Sequence, residues 1–237
     1  MEKQIFTSLQ LNKPALKFFI QIFLFFTFSL NSNCQTLLNN SNDSGYSKKL
    51  LLIDTAFKKP TIDEKVQIFF SNHHNKTLNN ISKYALEPWG DGLYSLPALG
   101  GFYIYGSIKN DDISKDAAIK GLGTFIVCGL ATGILKYSFH RQRPFESNPP
   151  NSRIWDGPSF KKQHLSFPSG HTSSVFSLAT IISAQYKYKP SITAICFSIA
   201  TLTAISRIYD NKHWLTDVLA GAIIGTACGQ MMYQITK

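Results

Sequence analysis

Residues 167–172 read Phe-Pro-Ser-Gly-His-Thr, and the rest of the chain is organised around this stretch. The residues after it, 172–184, are small or apolar and predict a continuous helix. Ser169, Gly170 and His171 therefore lie at a helix N-terminus, where free N–H groups and the helix dipole favour an anion. On these residues alone, a simpler interpretation is favoured, in which a turn caps a helix beside a surface histidine.

Two flanking blocks of polar residues make an anion site the better interpretation. Upstream, six residues separate Lys136 from Arg143, which precedes a proline. Downstream, five residues separate Arg207 from His213, and three more separate His213 from Asp217. On one helix His213 and Asp217 share a face, so the acid can orient the imidazole for nucleophilic attack. The pair equally fits a His–Asp contact that only stabilises a helix.

In this order, the three blocks resemble the signature of the type 2 phosphatidic acid phosphatase superfamily. That superfamily also contains bacterial non-specific acid phosphatases and vanadium-dependent haloperoxidases. The resemblance covers roughly residues 81–237, and every signature position is present.

The resemblance assigns a role to each signature residue. It implies that His213 is the nucleophile and forms a phosphohistidine, and that Asp217 orients it. His171 is implied to protonate the leaving oxygen and then to activate water. The implied phosphate-binding residues are Lys136, Arg143, Ser169, Gly170 and Arg207. No carboxylate cluster suited to Mg²⁺ is visible, so we expect neither a metal nor another cofactor.

Three functions remain open at this point. The first is a phosphatase that acts on phosphate monoesters or diphosphates, with phosphorylated lipids or small phosphate esters as substrates. The second is a vanadium-dependent haloperoxidase, because vanadate resembles the phosphorylated transition state. The third is a non-catalytic anion-binding protein on the same fold, although the three catalytic side chains are intact.

Composition indicates an apolar helical protein with an anionic partner. Hydrophobic residues make up 44% of the 237 residues and charged residues only 16%, against about a quarter in average soluble proteins. The mean hydropathy of −0.05 is low for a protein made only of membrane spans. The formal charge of +10 suits an anion, but scattered lysine pairs and the lack of an RNA-binding motif argue against nucleic acid.

The predicted fold is all-α: a bundle of about five to six apolar helices with the active site at one end. Five stretches carry helical apolar patterns, and no strand pattern competes with them. These stretches are residues 93–108, 117–139, 171–186, 191–208 and 214–235. The connector 140–167, which includes Arg141, either shapes substrate access or only joins two helices.

We predict three parts of the chain. Residues 1–34 are a secretory signal peptide or an N-terminal membrane anchor, because lysines precede the apolar run 18–30. Residues 35–80 are a linker with short amphipathic helices, and residues 81–237 are the phosphatase helical domain. Lysine-bearing turns near residues 109–115 and 187–189 place the site on the opposite, extracytoplasmic side of a membrane. We therefore expect a membrane or periplasmic location.

Overall fold

The computed structural model describes residues 59–236, so the predicted signal peptide or anchor lies outside the described residues. Helix α1 (Ile62–Ser71) begins after Thr61, whose hydroxyl accepts from the Glu64 N–H while the Glu64 carboxylate accepts from the Thr61 N–H. The helices that follow are α2 (Lys76–Asn80), a π-helical turn (Ile81–Leu86), α3 (Glu87–Gly90), α4 (Ser95–Lys109), α5 (Asp112–Phe139), α6 (Gly170–Gln185), α7 (Pro190–Tyr209) and α8 (Leu215–Ile235).

The predicted all-α fold is confirmed. The five apolar stretches are α4 to α8, and their ends agree within two residues except at the start of α5, which begins at residue 112 and not at 117. The additional first turn is charged and is capped by Asp111, so it lies outside the apolar pattern. Within residues 59–236 the structure contains no strand, and only an isolated bridge pairs Arg141 with Trp155. The connector between α5 and α6 is irregular apart from a short 3₁₀ turn, Pro144–Glu146.

Helix α6 is the central helix of the bundle. Most of its residues from Thr172 to Ile182 are buried, because α5, α7 and α8 all pack against it. Several of its hydroxyl groups are satisfied inside the helix: Ser173 donates to the Gly170 carbonyl and Thr180 to the Phe176 carbonyl. A helix with this many small polar residues therefore lies inside the bundle and not against lipid.

The closest packing in the bundle joins α8 to α6 through three glycines spaced four apart. A Cβ built on Gly225 would lie 2.3 Å from the carbonyl oxygen of Ser173. A Cβ built on Gly221 would lie 2.6 Å from the Ser169 carbonyl oxygen, and one built on Gly229 would lie 2.7 Å from the Ser177 carbonyl oxygen. The two backbones approach this closely only because these positions carry no side chain.

The outer surface of the bundle is apolar, as a membrane protein requires. On α5, for example, Ile119, Leu122, Ile126, Leu130 and Ile134 are exposed along one face. An exposed apolar surface of this size marks contact with lipid or protein. Helices α5, α7 and α8 are long and apolar enough to cross a membrane. The protein is therefore a membrane protein.

Helix α1 packs against the helical bundle. Residues from Pro60 onward form one compact unit, and the boundary between residues 35–80 and the helical domain 81–237 stays a prediction. The Gln67 side chain, 2% exposed, donates to the Ile208 carbonyl at the end of α7. Asp63 and Glu64 are also buried. Both acids have tertiary partners, which are described below.

Candidate active site

The N-terminus of α6 brings the signature blocks together at one end of the bundle. Ser169 is the N-cap residue, and its side chain accepts from the Thr172 N–H. The Ser169 N–H donates to the Asp217 carbonyl oxygen at 3.0 Å, which ties the start of α6 to the start of α8. The free N–H groups of the first helical turn therefore face the same region as the His213–Asp217 pair.

Lys136 and Arg143 approach the same region from the end of α5 and from the connector. The Lys136 Nζ donates to the Leu165 carbonyl at 2.7 Å, and Arg143 Nη2 donates to the same oxygen at 3.3 Å. A Cβ on Gly170 would lie 3.6 Å from Lys136 Cε, so the lysine stem borders the helix N-terminus. The two cations therefore share a neutral carbonyl oxygen as acceptor in these contacts, and not a carboxylate.

Arg207, at the end of α7, is the third cation of the site. Its side chain is 3% exposed, and its Nη1 lies 3.0 Å from Oε1 of Glu87 in α3. Its Nε has no hydrogen-bond partner among residues 59–236. Burial lowers the pKa of Arg143, and the nearby Arg207 adds to that lowering. Mutual repulsion between these guanidinium groups is relieved when an anion binds between them.

His213 is buried beside Asp217, as the spacing predicts. The Nδ1 of His213 lies 3.7 Å from Asp217 Oδ2, which is a close ion-pair distance and longer than a hydrogen bond. Burial lowers the pKa of His213 to about 3, Asp217 opposes this shift, and Lys136 and Arg143 contribute to it. The imidazole is therefore neutral at physiological pH, as a nucleophile must be.

Asp217 is held by partners that the sequence did not reveal. Its Oδ1 accepts from Arg141 Nη1 at 2.6 Å, and its Oδ2 accepts from the Ser166 hydroxyl at 2.5 Å and the Trp214 N–H at 2.9 Å. The carboxylate is fully buried, and these donors fix its orientation. Arg141 was noted in the sequence only as a connector residue, because nothing local links it to α8.

His171 follows Gly170 at the start of α6 and packs against α3. A Cβ on Gly90 would lie 2.6 Å from His171 Cβ and 2.7 Å from Cδ2, so this turn must carry glycine. The same turn places the Glu87 carboxylate beside Arg207.

An apolar cavity of about 70 Å³ lies between α4, α6 and α7. Trp89 lines it, and this residue is the neighbour of the glycine that contacts His171. Val175, one turn after His171, also lines it. Through Trp89 and Val175, one part of the cavity lies near His171. Its lining is Trp89, Ser95, Ala98, Leu99, Phe102, Val175, Leu178, Ala179, Ile182, Cys196, Ile199 and Ala200.

The fold and site together define a helical membrane protein with a buried site for an anion and a neutral histidine beside a carboxylate. The chain belongs to the PAP2 superfamily, whose family description matches residues 117–237. This agrees with the resemblance found in the sequence.

Proteins similar in sequence are named as lipid phosphatases. Lipid A 1-phosphatase of Porphyromonas gingivalis is 37% identical over 102 residues, which are 43% of this chain and 20% of that protein. The probable diacylglycerol pyrophosphate phosphatase 1 of Schizosaccharomyces pombe is 29% identical over 161 residues, 56% of this chain and 58% of that protein. The chain thus spans between a fifth and somewhat over half of these relatives.

Two solved structures share the fold. A transmembrane PAP2-type phosphatidylglycerolphosphate phosphatase from Bacillus subtilis matches 92% of this chain and 94% of its own, with a TM-score of 0.58 and 21% identity. LpxE from Aquifex aeolicus matches 75% of this chain and 98% of its own, with a TM-score of 0.52 and 24% identity. At these identities, the likeness concerns the fold.

Proposed function

We propose that the protein is a membrane phosphatase that hydrolyses phosphate mono- or diphosphate esters of lipids through a phosphohistidine intermediate, without a metal or other cofactor. The observation that carries this proposal is the convergence of Lys136, Arg143 and Arg207 with the buried His213–Asp217 pair at the N-terminus of α6. Cations and backbone N–H groups stabilise the charge on the phosphoryl oxygens, which is most of what phosphoryl transfer requires.

The phosphate group binds between the three cations and the start of α6. Arg143 and Arg207 present planar guanidinium groups suited to paired contacts with phosphate oxygens, and Lys136 adds a point charge. The Ser169 side chain and the Gly170 N–H complete the phosphate-binding residues. Binding of the anion replaces the Leu165 carbonyl as the partner of Lys136 and Arg143 and screens the repulsion between the arginines.

In the first chemical step, His213 attacks phosphorus and the bond to the leaving oxygen breaks. Because Nδ1 faces Asp217, the attacking atom is Nε2, and Asp217 stabilises the positive charge that develops on the ring. His171 gives its proton to the leaving oxygen. Burial and the nearby Arg207 lower the pKa of His171 to about 4, and the negative charge of the bound phosphate favours the protonated form. In the second step, His171 takes a proton from water, the water oxygen attacks phosphorus, and the phosphorus–nitrogen bond breaks to release phosphate and neutral His213.

The substrate class proposed is a phosphorylated lipid. The apolar cavity next to the Trp89–Gly90 turn offers an apolar surface beside the polar site, as an acyl chain requires. The relatives named above are lipid phosphatases, and we infer the same general substrate class for this chain. The same names favour phosphatase over haloperoxidase or anion-binding functions.

We also propose that the site faces the extracytoplasmic side. The turn between α4 and α5 is flanked by Lys109 and Lys115, and the turn between α6 and α7 contains Lys187 and Lys189. Both turns lie at the end of the bundle away from His213, and positive residues favour the cytoplasm. The apolar run 18–30 then serves as a signal peptide or an anchor.

The test is phosphate release by purified protein from a panel of lipids: phosphatidic acid, diacylglycerol diphosphate, phosphatidylglycerol phosphate and lipid A. We expect release from at least one lipid, unchanged by EDTA and inhibited competitively by vanadate. Rapid quenching with labelled substrate should trap an acid-labile, base-stable phosphoenzyme in the wild type and none in His213→Ala.

Three results would count against the proposal. Turnover in His213→Ala close to that of the wild type would exclude the histidine nucleophile. Loss of activity in EDTA with recovery in Mg²⁺ would show that a metal takes part. Oxidation of halide with vanadate and hydrogen peroxide, in place of phosphate release, would identify a haloperoxidase.

A further inference from the structure

We propose that Arg141 and Asp63 are positioning residues of the active site, so that helix α1 is part of the machinery that holds Asp217 against His213. The inference rests on the proposed function for its meaning in catalysis. Asp63 lies before residue 117, where the match to the PAP2 superfamily begins.

Arg141 is a buried cation shared by two buried carboxylates. Its Nη1 donates to Asp217 Oδ1 at 2.6 Å, and its Nη2 donates to Asp63 Oδ2 at 2.6 Å. The side chain of Arg141 is 4% exposed, and those of Asp63 and Asp217 are 6% and 0% exposed. Its Nε and Nη2 also donate to the Ser152 carbonyl, and it lies over the Trp155 ring at 4.7 Å.

Asp63 holds the start of α8 as well as Arg141. Its Oδ1 accepts from the backbone N–H of Thr216 at 2.9 Å, and its Oδ2 accepts from the Thr216 hydroxyl at 2.7 Å. Thr216 immediately precedes Asp217, and its hydroxyl also accepts from Arg141 Nη1 at 2.6 Å. Asp63, Arg141, Thr216 and Asp217 therefore form one closed hydrogen-bonded network.

The network controls which part of Asp217 faces the nucleophile. Arg141 binds Oδ1 of Asp217. The other oxygen, Oδ2, accepts from the Ser166 hydroxyl and the Trp214 N–H, and it faces His213 Nδ1. A carboxylate near Nδ1 favours the tautomer that carries its proton there and leaves Nε2 free to attack. Without Arg141, Asp217 would be a buried charge with no cation in contact, and this orientation would no longer be fixed.

A matched control exists on the same helix. Glu64, adjacent to Asp63, is also buried, but its carboxylate accepts from Ser152 and faces Arg153 at 3.4 Å, away from Asp217. Glu64→Gln removes an anion that anchors α1, while its amide oxygen can keep both contacts with Ser152, so the Ser152 carbonyl that accepts from Arg141 stays in place. Asp63→Asn is the matching change, because an amide can keep both Thr216 contacts while it loses the acceptor for Arg141.

The experiment compares Asp63→Asn, Arg141→Gln, the double variant and Glu64→Gln in the full chain. Outer partners of metal-ligating residues typically contribute about 10–100-fold to activity, and we take the same scale for the partners that hold Asp217. We expect kcat to fall by about that factor in Asp63→Asn and by more in Arg141→Gln, with KM and vanadate inhibition nearly unchanged. The double variant should be no slower than Arg141→Gln, because Asp63 acts through Arg141. Glu64→Gln should retain kcat.

A second measurement does not depend on activity. Nitrogen NMR of protein labelled at its histidines, with the His213 signals assigned by the His213→Gln variant, reports the tautomer at neutral pH. We expect the Nδ1–H form in the wild type and in Glu64→Gln, and a mixture in Asp63→Asn. If Arg141→Gln does not fold, Asp63→Asn alone decides the matter.

The outcomes separate the two proposals. An unchanged His213 tautomer in Asp63→Asn, or an equal loss of kcat in Asp63→Asn and Glu64→Gln, would reduce the network to a structural role and overturn the inference. A wild type that releases no phosphate from any lipid would overturn the proposed function, and the NMR comparison would still decide the inference.

Discussion

Substitution of Gly225 by alanine tests the packing that joins the two halves of the site. Gly225 lies two turns after Asp217 on α8 and faces Ser173 on α6. The added Cβ would lie 2.3 Å from the Ser173 carbonyl oxygen and 3.0 Å from Phe176 Cβ. The obstacle is mainly backbone, so no rotamer change relieves the clash.

The geometry gives the size of the effect. Ordinary contacts of a Cβ begin near 3.4 Å, so α6 and α8 must separate by about 1 Å at this point. Overpacking of this kind typically costs about 1–3 kcal/mol. At about 2–4 °C per kcal/mol for a chain of this size, the unfolding temperature should fall by roughly 2–12 °C. Because α6 carries His171 and α8 carries Asp217, a shift near 1 Å can cost about 100-fold in kcat.

The assay is thermal unfolding in detergent together with steady-state phosphate release. Gly129→Ala on α5 is the matched control, because a Cβ there meets nothing within 4 Å. Alanine favours a helix over glycine by about 1 kcal/mol, so this variant should be as stable as the wild type or more stable. Its kcat should be unchanged.

Two results would refute this reasoning. Equal unfolding temperatures for Gly225→Ala and Gly129→Ala would mean that α6 and α8 are not packed backbone to backbone. A lower unfolding temperature in Gly225→Ala with wild-type kcat would mean that this packing does not set the distance between the catalytic residues.

Three further predictions concern the chemistry and its orientation. In single-turnover measurements, His171→Ala should slow phosphoenzyme formation from an alkyl phosphate far more than from p-nitrophenyl phosphate, whose leaving group needs no proton; equal losses would assign His171 to phosphate positioning. Because the pKa of His213 is lowered to about 3, its neutral form persists on acidification. Once substrate ionisation is taken into account, kcat/KM should not show the roughly 30-fold loss at pH 5 that an ordinary histidine with a pKa of about 6.5 would cause. In intact cells, an impermeant thiol reagent should label Phe160→Cys, in the exposed connector, but not Tyr188→Cys, at the opposite turn; the reverse pattern would invert the proposed orientation.

The helices could be predicted from sequence because their signals are local. Apolar periodicity and polar breaks gave α4 to α8 with ends close to those in the structure. The spacing of His213 and Asp217 placed both at the start of α8, and the Ser-Gly-His stretch placed Ser169 at the N-cap of α6. Each inference needed only a short window of residues.

The support around the site could not be predicted, because it depends on contacts between distant residues. Asp63 contacts Arg141 across 78 positions of the chain. An acid in the first turn of a helix is common, so the local sequence around Asp63 does not indicate a distant partner. The need for glycine at position 90 could not be predicted for the same reason. Only the tertiary fold shows that His171 occupies the space where a Cβ of residue 90 would lie. A sequence window that scores residue types cannot distinguish a solvated acid from a buried one.

The polar composition of α6 also bears on how the protein enters the membrane during synthesis. Its buried hydroxyl residues face other helices and not lipid, and its length of 16 residues is below the about 20 apolar residues of an independent span. Helix α8, whose glycines pack against α6, follows α6 in the chain and is synthesised later. At the translocon, α6 is therefore a segment whose stable insertion depends on α8, and His171 and His213 come together only after that helix has joined the bundle.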